Sequence, residues 1–122
     1  MSSVPRAVHG FELRCTTPPH NKFWRAFIAG QYYVVHYGSI GDPGSFRGSK
    51  NCQTPLKARL TIEAKIREKI NEKGYTTHHG PITFIVPETL IAELDEPGAV
   101  RDLARIQLVD CFLRAASAGV TR

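Results

Sequence analysis

No apolar run in this 122-residue chain approaches the length of a membrane helix. The longest, Ile82 to Val86, falls far short of the roughly 20 residues that a bilayer demands, so a helical membrane protein is excluded. The opening "MSSVPRAVHG" has no apolar stretch of a secretory leader, and the expected location is the cytoplasm. Cysteine is equally scarce. Cys15, Cys52 and Cys111 are odd in number, widely spaced and without a C-x-x-C pair, which argues against a disulfide framework, a zinc ribbon or a dithiol centre. They read as buried thiols. The doublet His78-His79 has no further ligand at metal-binding spacing, so it reads as a structural loop pair and no metal is expected. The phosphate loop G-x-x-x-x-G-K-[ST] is missing, since Gly48-Ser49-Lys50 has the wrong order, and so is any nucleophile elbow. No cofactor, no catalytic residue and no enzymatic activity are expected.

What the chain does have is a soluble composition and an uneven charge. With 42% hydrophobic and 22% charged residues, it is long enough for one domain with a real core. Residues 1–75 hold twelve Lys and Arg against five Asp and Glu, a net +7, whereas 76–122 hold four against six, a net −2. A basic front of this kind draws polyanions, nucleic acid first among them.

Two-residue alternation marks the strands. Phe11, Leu13 and Cys15 alternate with Glu12, Arg14 and Thr16. In "KFWRAFIAG" Phe23, Arg25 and Phe27 fall on one face and Trp24, Ala26 and Ile28 on the other. Gly30-Gln31 turns the chain into a third strand, Tyr32 to Tyr37, and "HYGSIGDPG" joins that to a fourth, "SFRGSKNCQ", through the turn residues Asp42-Pro43-Gly44. Thr54-Pro55 then opens a helix that Gly74 closes, with Ala58, Ile62, Ile66 and Ile70 as its buried stripe and Lys57, Lys65, Glu68 and Glu72 on its far side. Glu63 and Arg67 stand four apart, as an ion pair on such a helix would. Residues 76–81 read as a connector, 82–86 as one more strand or extended segment, and 88–94 and 98–116 as helices. In the last of these Val100, Leu103, Ile106, Leu108, Val109, Phe112 and Leu113 cover most of the circumference, so it is buried on several sides, in its own chain or in a partner.

Over about residues 11–75 the chain resembles the WGR domain, a small module named for a Trp-Gly-Arg triplet and found in poly(ADP-ribose) polymerases and in smaller bacterial proteins. The likeness rests on Asn21-Lys22-Phe23-Trp24, on Tyr37-Gly38-Ser39-Ile40-Gly41 at the triplet, and on the helix end from Lys69 to Tyr75. It implies an α+β fold, an antiparallel sheet with one long helix packed across it, here with a C-terminal helical extension. The domain spans 8–75, and 76–122 form an extended segment and two helices that pack on it or on a partner. The resemblance also implies a DNA-binding function near strand breaks, in which the triplet's aromatic ring packs on the nucleic acid and its Arg adds charge. This chain has Tyr37 for the Trp and Ser39 for the Arg. The expected nucleic-acid residues are therefore Asn21, Lys22, Tyr37, Gly38 and Ser39, with Arg47, Lys50 and Lys57 supplying charge near the same turn. For Trp24 and Tyr37 packing in the core is the competing role. The competing function is a protein-interaction adaptor that has lost DNA and docks a partner, or a second copy, through the C-terminal helix.

Overall fold

Alternation in two neighbouring strands sets the architecture. In β2 (Lys22–Ala29) Trp24, Ala26 and Ile28 belong to one core, while Phe27 and Ala29 belong to another; in β3 (Tyr32–Ser39) Tyr33 and Val35 likewise oppose Val34. Since all of these are buried, the sheet must be covered on both sides. The structure, a computed structural model that describes residues 4–120, places helices on each. The other elements are β1 (Pro5–Cys15), β4 (Ser45–Asn51), α1 (Pro55–Glu72), β5 (Thr76–Pro87), α2 (Glu88–Glu93) and α3 (Gly98–Val120). The strands form one antiparallel sheet in the order β4-β3-β2-β1-β5. The fold is α+β.

Helix α1 starts where its signals lie. The Thr54 hydroxyl accepts a hydrogen bond from the Lys57 N–H at 3.1 Å and Pro55 occupies the first turn, a cap of about 1 kcal/mol. The helix lays Ala58 and Ile62 on Leu13, Trp24, Ala26, Ile28, Tyr33 and Val35. Its expected stripe is buried only in this first half. Ile66 is half-buried and Ile70 exposed, because at the far end Lys69 turns inward to the Trp24 and Tyr75 rings. Glu63 faces Arg59 at 3.8 Å rather than Arg67.

On the opposite side α3 packs Ala104, Leu108, Val109 and Phe112 against Val8, Phe27, Val34, Phe84 and Val86, with Leu90 and Leu94 closing that core. Val100, Leu103 and Ile106, expected to share in the burial, face outward. Residues 76–81 are not a connector but the first half of β5, where Thr76, Thr77 and His79 pair with Arg14, Leu13 and Glu12. Gly80 and Pro81 sit at a break in this ladder, between the pairs Glu12–His79 and Gly10–Ile82. A proline without an N–H is tolerated there because β5 is an edge strand. His78 and His79 thus belong to a strand, their ring centroids 4.5 Å apart. Of the thiols, Cys15 is buried, whereas Cys52 and Cys111 are half-buried.

Candidate nucleic-acid interface

The glycines of "HYGSIGDPG" serve the approach of two backbones. Gly44 has φ +78°, and a Cβ there would meet the Tyr37 carbonyl oxygen at 2.7 Å and the Phe23 ring at 2.6 Å; a Cβ on Gly38 would lie 2.8 Å from the Gly44 Cα. Side chains are excluded so that the β3–β4 turn can fold down on β3. His36 holds it there. Its Nε2 lies 2.7 Å from the Pro43 carbonyl oxygen, which can only accept, so Nε2 carries the proton and Nδ1 is left to accept from Arg25 Nη1 at 3.2 Å. The imidazole is stacked on Phe46 at 4.4 Å and tilted against Phe23 at 5.0 Å. Burial pushes its pKa below the ordinary value; the neighbouring Arg25 charge adds to this, and the Pro43 hydrogen bond and Glu12 work against it.

Arg25 is itself fixed by a buried carboxylate. Its Nε donates to Glu12 Oε1 at 3.2 Å, while Arg14 Nε donates to Oε2 at 2.7 Å. Burial alone would raise the Glu12 pKa, yet the two arginines outweigh it and the carboxyl stays below the usual range. The turn therefore rests on a chain of four groups, Glu12, Arg25, His36 and the Pro43 carbonyl.

The other side of the same strands carries the aromatic and basic groups. Trp24 pairs with Tyr37 and Lys22 with Ser39 in the β2–β3 register, so these four point to the α1 side at the turn end of the sheet. Trp24, only 5% exposed, is core. Tyr37 is half-buried, and the Arg47 guanidinium lies over its ring at 4.4 Å. Lys69 reaches in from α1, its Nζ 5.9 Å from the Trp24 centroid and 5.4 Å from that of Tyr75. Burial lowers the Lys69 pKa and Arg47, Lys73 and Lys65 lower it further against the pull of Glu68. Unneutralised cations are crowded together here.

Of the residues expected from the sequence, Lys22, Tyr37, Ser39 and Arg47 come together at this end. Asn21 lies just outside β2 and is tied in by its carbonyl, which accepts from the Ile40 N–H at 3.0 Å. Gly38 faces the opposite side, against Phe23 and Gly44. Lys50 and Lys57 are at the other end of α1, where they line a shallow depression with Leu60 and Thr61. A bulge makes this arrangement possible. Arg47 and Lys50 are three apart and would point to opposite faces of a regular strand, but the ladder slips between Tyr33 and Val35, so that Lys50 pairs with the first and Arg47 with the second, both α1-side positions. Lys69 and Lys73, which the sequence reading does not place at the site, join the basic end, while Lys65 lies nearer the middle of α1. Their signal was the four-residue spacing from Lys57 onward.

The sequence profile of the WGR domain matches residues 9–80. This chain belongs to the WGR family. The family is one of nucleic-acid-binding modules, and the WGR match takes in β2, β3, β4 and α1 whole and ends inside β5. A crystal structure of a Bacteroides fragilis protein resembles this WGR chain with a TM-score of 0.53 and 26% identity, over 57% of this chain and 19% of that one. The shared part is thus about a fifth of that protein's length. No curated protein matches the sequence. Among the described residues no three His, Cys, Asp or Glu gather as a metal set, and no helix is long and apolar enough to cross a membrane.

Proposed function

We propose that this WGR domain is a non-enzymatic cytoplasmic DNA-binding module that holds DNA ends or breaks at the turn end of its sheet, through backbone and stacking contacts and without a cofactor. The observation that carries this reading is the Tyr37–Arg47 pair. Ser39 removes the charge that the family places two residues after the aromatic ring, and Arg47 returns a guanidinium to that ring from the adjacent strand. A guanidinium over an aromatic ring offers a cationic group on which a base can stack and from which a phosphate can be bound. Lys22, Lys69 and Lys73 add charge around it, and Asn21 borders it.

The test is a titration of labelled blunt, nicked and single-stranded oligonucleotides at two or more salt concentrations. Each neutralised phosphate of a duplex adds about 0.9 to the log–log salt slope, so about four contacts give a slope near −3.6. A flat salt dependence, or no binding at low salt, would leave the adaptor reading in its place. That second reading draws on α3, where Val100, Leu103 and Ile106 are 48%, 60% and 51% exposed.

A further inference from the structure

The cations of α1 and its C-cap form a line. Lys57, Lys65, Lys69 and Lys73 recur at multiples of four with Thr61 filling the gap, the ridge of an α-helix along which successive side chains stand about 6 Å apart along the axis. From Lys57 to Lys73 the ridge runs about 24 Å. Its two ends are tied to β4: Lys57 shares a depression with Lys50, and Lys69 feels the charge of Arg47. The β4 bulge turns both of those side chains toward the helix.

Among the described residues the cations of the ridge and of the facing strand have no carboxylate partner, a property they share with Lys22, Arg67 and Arg114. Arg6, Arg14, Arg25, Arg59 and Arg101 are each closed by a carboxylate; among the described residues no carboxylate lies within bonding distance of Lys50, Lys57, Lys65, Lys69, Lys73 or Arg47. Glu68 acts on Lys69, and Glu72 directly precedes Lys73. Leu60, 52% exposed, sits beside Lys57 and Thr61 and presents an apolar surface to whatever lies in the depression.

We propose that this ridge, with the facing side of β4, is a track for a single-stranded DNA extension that leaves the Tyr37 end and runs toward the start of α1, its phosphates on Lys69, Lys65 and Lys57. The proposal rests on the reading of the turn end as a DNA site. The shape of the track selects the kind of strand. Lys65 and Lys69 stand about one phosphate repeat apart and Lys57 about two further on, and the ridge winds by about 40° at each step of four residues, a path that a pliable strand can follow. A duplex is stiff over about 50 nm and its two backbones spiral away from any one line. Open cations beside apolar and aromatic surface are the usual furniture of single-strand grooves.

The experiment uses the whole chain and two fluorescent hairpin duplexes, one blunt and one with a six-thymidine extension, made in both polarities. The extended probe is expected to bind severalfold tighter in one polarity, with a salt slope steeper by about 0.7 for each added phosphate. Lys57→Gln with Lys65→Gln should abolish that increment and leave blunt-duplex affinity as it was, while Lys57→Arg with Lys65→Arg should keep it. Equal affinity for blunt and extended probes, or an equal loss on both in the Gln variant, overturns the track and leaves the turn-end site standing. Failure of the parent protein to bind either probe overturns both.

Discussion

At the scale of single residues, His36 makes the site conditional on pH. It must be neutral to accept from Arg25, and burial already holds its pKa below the ordinary 6.5. A histidine whose folded pKa is depressed contributes stability that is whole above about pH 6.5 and is lost as pH falls from there toward the folded value, because the unfolded chain binds the proton more readily. The expected outcome is a urea midpoint that drops between pH 7.5 and 5.5 by more in the parent than in His36→Phe. That variant keeps a ring between Phe23 and Phe46 but leaves the Pro43 carbonyl without its donor, at a cost of about 1–3 kcal/mol at pH 7.5. An identical pH dependence in the two proteins would show that His36 does not hold the turn. Glu12, also depressed, acts in the separate window below about pH 4.5. At Tyr37 the ring should matter more than the hydroxyl: in anisotropy titrations Tyr37→Phe binds DNA as the parent does, and Tyr37→Ala, which removes the ring beneath Arg47, binds more weakly. The sequence showed an aromatic position here. It could not show that Arg47 covers the ring, since that contact depends on a ladder slip that no residue type announces.

At the scale of elements, the β3–β4 hairpin moves the site's charge from one strand to the next. If Arg47 stands in for the family's arginine, Arg47→Ala weakens duplex binding and Ser39→Arg, introduced into that variant, restores much of it with about one contact's worth of salt slope, near 0.9. Anisotropy titrations of the single and double variants decide the matter. Rescue that is absent, with both variants folded by circular dichroism, would mean that residues 39 and 47 serve different places. The strands with clean alternation and the helix with its Thr54-Pro55 start were legible because local chemistry and tertiary structure agree there. Residues 76–81 were not, because Gly80 and Pro81 are local turn signals in a segment whose conformation is imposed by pairing with β1. Lys69 is hard to read from the sequence for a related reason. A lysine over Trp24 and Tyr75 looks, from its spacing alone, like any solvated helix residue.

At the scale of the whole molecule, the last third of the chain is structurally continuous with the first strand. Phe112 is fully buried and packs edge-on against Phe27 at 5.2 Å, so Phe112→Ala should cost about 3–5 kcal/mol of unfolding free energy, measured by urea denaturation. A loss well under 1 kcal/mol would show that α3 adds little to the stability of the sheet. β1 makes the connection between the ends of the chain. Its stretch Pro5–Val8 pairs with β5 alone and finds no partner in β2, and Arg6 is bonded to Glu88, 82 residues away. During synthesis those first residues leave the ribosome long before their partner exists: at about 5–20 residues per second the wait is about 4–16 s. For that interval an unpaired strand edge hangs from a nascent chain whose β2–β3 hairpin is already able to close, and an edge of that kind is a template on which a neighbouring chain can pair.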